Sequence, residues 1–133
     1  MSVHLAYQQY KEVQVKTANN GKLVLMLYQG IVKFLRLAKK YIEDGNIEAA
    51  NENLIKAQKI INELSANLDR EKGREIAGNL FRLYQFMNSQ LIRANIKKEI
   101  APIEIVEEMT IELLETWKQI VNGKQVKKVE ENE

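Results

Sequence analysis

Apolar residues recur along this chain every three or four positions, the period of α-helices that bury a single face. The repeat is strictest over 47–68, where Ile47, Ala50, Leu54, Ala57, Ile61, Leu64 and Leu68 step by three and four in alternation. Such a narrow seam packs at shallow crossing angles in bundles. Ahead of it, a helix over 20–44 turns Leu23, Leu27, Ile31, Phe34, Leu35, Ala38 and Tyr41 to one side. Asn19 is placed to cap its first turn, and Asp44-Gly45-Asn46 stops it, with Gly45 free to turn left-handed and Asn46 positioned to cap the next helix. Asp69-Arg70-Glu71-Lys72-Gly73 reads as a charged connector. Beyond it, a helix over 74–98 turns Ile76, Leu80, Leu83, Met87, Leu91 and Ala94 inward. Pro102 ends that helix and suits the first turn of a fourth, over 102–121, with Ile103, Val106, Thr110, Leu113, Trp117 and Ile120 inward. That helix is expected to fade at Asn122-Gly123, leaving 122–133 as a charged, disordered tail. Connectors of about two to five residues join such helices as antiparallel neighbours. The expected fold is one all-α domain over 1–121, an up-down-up-down antiparallel four-helix bundle, with residues 1–18 as an N-terminal segment packing on it.

Several apolar side chains fall outside these core-facing stripes. Leu25, Tyr28 and Val32 form a second strip on the first helix; Phe81 and Ile92 do so on the third, beside Gln85, Asn88 and Asn95. Ile55 on the second helix and Ile105 and Ile111 on the fourth are also off the seam. Two readings stay open and are compatible. The N-terminal segment, with Tyr7, Tyr10, Val13 and Val15, can fold back over one strip. Equally, the strips can form a groove for an amphipathic partner helix, the amide side chains fixing its register.

Composition narrows the function more than the fold. The 133 residues contain no cysteine and a single histidine, His4, so disulfides, thiolate chemistry and zinc fingers drop out. A di-iron carboxylate bundle needs Glu-x-x-His on two helices, which one histidine cannot provide. Glu104, Glu107, Glu108, Glu112 and Glu115 have helical spacing but read as a solvated face, and the six glycines make no phosphate-binding loop. No catalytic residue, metal or cofactor is expected. The net charge of +2 hides a gradient: residues 1–45 carry seven Lys/Arg against three Asp/Glu, and 102–133 carry four against eight. Side by side in a bundle, such segments complement each other. Lys39-Lys40 and Lys97-Lys98 are too sparse for a nucleic-acid footprint. With no signal peptide and no run of roughly 18 apolar residues, the protein is expected in the cytoplasm, without membrane insertion.

Specific stretches resemble a known family. Ala6-Tyr7-Gln8-Gln9-Tyr10, Val15-Lys16-Thr17-Ala18-Asn19 and Leu23-Val24-Leu25-Met26-Leu27-Tyr28-Gln29-Gly30 are similar to the signature of the flagellin-specific export chaperones, the FliS family. Asn53-Leu54-Ile55-Lys56-Ala57-Gln58, Leu83-Tyr84-Gln85-Phe86-Met87, Leu91-Ile92-Arg93-Ala94-Asn95 and Leu113-Leu114-Glu115-Thr116-Trp117 resemble the later helices in the same order. The resemblance implies a four-helix-bundle chaperone that binds the C-terminal helical segment of flagellin, prevents its premature polymerisation and hands it to the flagellar type III export apparatus. It also implies that the tyrosine-bearing N-terminal segment takes part in the exchange. Asn20 and Lys22 depart from the family, which usually has proline after the cap and often an acid two positions later; Gln29 stands where Asp or Asn is usual. The residues expected to meet the partner are Tyr7, Tyr10, Leu25, Tyr28, Val32, Ile55, Phe81, Tyr84, Gln85, Asn88, Ile92 and Asn95. The chain is expected as a monomer or weak dimer. The alternative is a structural or regulatory bundle that self-associates or takes another amphipathic helix through the same strips.

Overall fold

The computed structural model describes residues 20–131, with side chains over 21–121 apart from Arg70. Four helices follow one another: α1 (Asn20–Glu43), α2 (Ile47–Ala66), α3 (Arg70–Lys97) and α4 (Ala101–Glu131). The described residues contain no strand, and the fold is the expected all-α four-helix bundle. Contacts run round the ring, α1 with α2, α2 with α3, α3 with α4 and α4 with α1, with no backbone approach across either diagonal.

The α1–α2 turn follows from its three residues. Gly45 has φ 75, Asn46 N–H donates to the Tyr41 carbonyl at 2.8 Å, and the Asn46 side chain accepts from Ala49 N–H at 3.1 Å. The free carbonyls of one helix and the free amides of the next are thereby satisfied within a single turn. Asn19, the cap expected for α1, lies outside the described residues.

Other boundaries differ from expectation, each for a local reason. Helix α2 stops at Ala66 because Asn67 closes it, with both its backbone and side-chain N–H groups donating to the Glu63 carbonyl. The connector expected over 69–73 is instead largely helical: the Asp69 side chain accepts from Lys72 N–H at 3.0 Å and caps a first turn. That turn is set apart from the rest of α3 by a break at Arg74 (φ 46, ψ −119). At the far end α3 closes on Lys98 in the left-handed conformation, without a glycine. Helix α4 does not fade at Asn122-Gly123 but continues to Glu131. The Lys, Gln, Val and Glu that follow include no proline, and a single internal glycine costs only about 1 kcal/mol.

Leu23, Ile31, Leu35, Leu54, Ile61, Met87, Leu91, Ile103 and Val106 are fully buried. Thr110 is buried with them because its hydroxyl donates to the Val106 carbonyl at 2.7 Å. Some expected core positions are not inside. Ile47, the first residue of α2, and Ile76, which follows the Arg74 break, are 63% and 71% exposed, and Ala77 takes the buried place beside Ile76. Leu83 and Ile120 sit on the rims of their stripes, next to buried Tyr84 and Val121.

Candidate partner-binding surface

The helical strips expected at the surface divide into an inner and an outer set. Tyr28, Val32 and Tyr84 are buried, which corrects the expectation that they face a partner directly. A bundle helix meets two neighbours, so α1 buries a wider arc than one apolar stripe. The flank that holds Tyr28 and Val32 also holds Lys39, whose ammonium reaches Glu107 on α4 at 2.7 Å. Leu25 is half-buried against the core. Tyr7 and Tyr10 lie outside the described residues.

Two buried tyrosines and the half-buried Trp117 form a polar knot. The Tyr28 and Tyr84 hydroxyls are 2.6 Å apart, and Trp117 Nε1–H donates to the Tyr28 hydroxyl at 3.1 Å. The cluster therefore ties α1, α3 and α4 together across a diagonal that the backbones do not bridge. Desolvation raises the pKa of both phenols; for Tyr28 its hydrogen bonds with Tyr84 and Trp117 pull the other way without reversing it, and for Tyr84 the neighbouring Tyr28 adds to the rise. Both phenols are therefore protonated at neutral pH.

The outer set lies along the groove between α2 and α3. Asn95 Nδ2 donates to Asn51 Oδ1 at 2.6 Å and Asn88 Nδ2 donates to Asn62 Oδ1 at 2.7 Å. These two amide bridges bracket Ile55 on α2 and Ile92 on α3, which are 38% and 50% exposed. Gln85 is exposed on the same side, Phe81 is half-buried, and Ile96 extends the apolar strip toward the end of α3. The expected residues Ile55, Asn88, Ile92 and Asn95 thus come together in one groove. Asn51 and Asn62 were missed by the sequence reading; their three-turn spacing on the Ile55 side of α2 was the available signal. A second exposed apolar set joins Ile105 on α4, expected off the seam, with Leu83 and Phe86 on α3 and Ile120 on α4, which were not anticipated as surface.

A cavity of about 230 Å³ opens at the end of the bundle where α1 begins and α2 ends. Val24 and Leu27 of α1, Leu64 of α2, Leu68 of the connector that follows it and Leu80 of α3 make its apolar lining. Tyr84 and Trp117 border it from the knot, and Glu63, Asn67 and Asp69 supply its polar atoms.

Among the described residues no group of three His, Asp or Glu is arranged to hold a metal, and no helix is long and apolar enough to cross a membrane. Glu107 of the acidic stretch on α4 is engaged structurally, by Arg36 Nε at 3.0 Å and Lys39 Nζ at 2.7 Å. Desolvation pushes its carboxyl up, but the hydrogen bonds and charges of Lys39 and Arg36 outweigh it and hold the pKa below 4.5.

Four helices packed in a ring around one apolar core define the class of all-α helical-bundle proteins. A family model described as flagellar protein FliS matches residues 3–124, and the chain belongs to that family. It is 39% identical to the flagellar secretion chaperone FliS of Bacillus subtilis (strain 168) over 92% of this chain and 91% of the relative. It is also 42% identical to the flagellar secretion chaperone FliS of Salmonella typhimurium over 86% of this chain and 87% of the relative, and 38% identical to that of Vibrio cholerae over 85% and 86%.

Proposed function

We propose that this protein is a cytoplasmic, non-enzymatic secretion chaperone that binds the C-terminal helical segment of flagellin, prevents its premature polymerisation and carries it to the flagellar export apparatus. The family membership supports the general role. The observation that carries the binding reading is the α2–α3 groove, in which Ile55 and Ile92 stay exposed between two asparagine bridges. Its apolar floor takes the buried face of an amphipathic helix, and its amides discriminate register by leaving a misplaced polar group unpaired. Each apolar side chain fully buried on binding contributes about 1.5–3 kcal/mol, and ordering an unfolded client offsets part of the sum. In this mechanism the chaperone replaces, one for one, the apolar contacts that a free flagellin segment makes with other subunits.

Calorimetry with a flagellin C-terminal segment tests the proposal. The expected result is saturable binding at micromolar concentrations or below, with a negative heat-capacity change from apolar burial. Absence of heat at those concentrations overturns the assignment.

A further inference from the structure

The knot of Tyr28, Tyr84 and Trp117 has one more proton than it can use. An indole N–H only donates, whereas each phenol has one proton to donate and lone pairs to accept. Trp117 donates to Tyr28, and one bond joins the two phenols, so three donor protons make two bonds. The remaining phenolic proton has no acceptor among the described residues. Were Tyr84 to donate to Tyr28, that proton would belong to Tyr28, which is completely enclosed. Donation from Tyr28 to Tyr84 instead leaves it on Tyr84, the phenol that borders the cavity. An unpaired buried donor costs about 1–3 kcal/mol, so the arrangement that can be satisfied from the cavity is the favoured one.

The cavity defines the rest of its occupant. At about 230 Å³ it exceeds the roughly 150 Å³ of an apolar cavity that holds benzene, and so it has room for one large side chain. Among the described residues its charged lining consists of two acids, Glu63 and Asp69, with no Lys or Arg. An apolar anchor, a hydrogen-bond acceptor and a cation occur together in the last turn of an α-helix, where backbone carbonyls are free and Lys or Arg is favoured by the dipole.

Resting on the chaperone reading above, we propose that this cavity is the anchor pocket for the last turn of the client helix: one large apolar side chain fills it, a free carbonyl accepts the Tyr84 proton, and an adjacent Lys or Arg faces Glu63 and Asp69. The α2–α3 groove fixes the register of the helix, and the cavity fixes its end.

Trp117 is the only tryptophan of the chain, so its fluorescence reports on the pocket. Titrating the full-length protein with a flagellin C-terminal segment is expected to shift Trp117 emission to the blue as the cavity fills. Tyr84→Phe, which removes the donor, is expected to weaken binding about fivefold, as for one neutral hydrogen bond. Leu80→Phe, which fills the cavity, is expected to weaken it by more than about tenfold and to abolish the emission shift. Thermal unfolding of each variant checks that it is folded, and Leu68→Phe replaces Leu80→Phe should the latter melt early. Binding with unchanged Trp117 emission, or unchanged affinity in both variants, overturns the pocket while leaving the chaperone reading intact. A wild-type Trp117 already closed to acrylamide overturns it in favour of residues 1–19 of the chain as occupant. No binding of the segment to the wild type overturns both.

Discussion

Glu107 shows how the charge gradient along the sequence is used. Its carboxylate takes one hydrogen bond from Arg36 and one from Lys39, joining basic α1 to acidic α4. Because the folded pKa lies below 4.5, the carboxylate favours the folded state above that value, and the contribution is lost as pH falls from 4.5 through the lower folded pKa. Glu107→Gln is therefore expected to lower stability by about 1 kcal/mol or less at pH 7, since Arg36 remains largely in solvent. Denaturant unfolding at several pH values is expected to show the two proteins converging below pH 4.5; a gap that widens in acid would contradict the assignment. Legibility in the sequence also divides residue by residue. Leu54 and Ile61 were readable as core because α2 follows a strict repeat. Tyr28 was not: a wheel drawn for one helix gives its angle but does not say that α4 arrives on that flank with Trp117 and Glu107. Ile55 and Ile92 were readable as surface because, among the described residues, no further helix packs on the outside of the α2–α3 groove.

At the scale of elements, the α1–α2 turn was legible in full because Gly45 and Asn46 each do what their chemistry favours. The α2–α3 connector was not, since Asp69 is a good N-cap but Gly73 four residues later reads as a break. Both signals are real, and the chain obeys them in turn: a capped helical turn, then Arg74 at φ 46, then the main helix. A non-glycine residue held there costs about 1–3 kcal/mol, more than the conformational entropy lost on adopting glycine. Arg74→Gly is accordingly expected to raise stability by about 1 kcal/mol, seen as a higher melting temperature. Gly73→Ala works in the opposite direction: its Cβ would stand 2.7 Å from the Ala77 Cβ, which is buried, and stability is expected to fall by about 1–3 kcal/mol. A neutral result at both positions would mean that the segment before Ile76 adopts another path in solution.

For the whole molecule, the bundle separates stability from recognition. Leu25, Tyr28 and Val32 were expected to form one surface strip; with Tyr28 and Val32 inside, Val32→Asp would put an unpaired charge into the core and unfold the protein rather than report on binding. The informative substitutions lie on the outer groove. Ile55→Asp combined with Ile92→Asp places two carboxylates on half-exposed positions, where the free protein can hydrate them. The melting temperature is expected to stay within a few degrees of the wild type. Affinity for the flagellin segment is expected to fall about tenfold to hundredfold, because two apolar contacts are lost and two charges must be desolvated in the complex. The same pair separates the chaperone from a self-associating bundle. If the groove holds a second copy, light scattering gives a dimer mass for the wild type and a monomer mass for the double variant; if it holds a client helix, both free proteins scatter as monomers and only the wild type gains mass when the segment is added. The groove governs recognition only if the double variant stays folded and loses the segment; a folded variant that binds as well as the wild type would place recognition on Leu83, Phe86, Ile105 and Ile120 of the α3–α4 side instead.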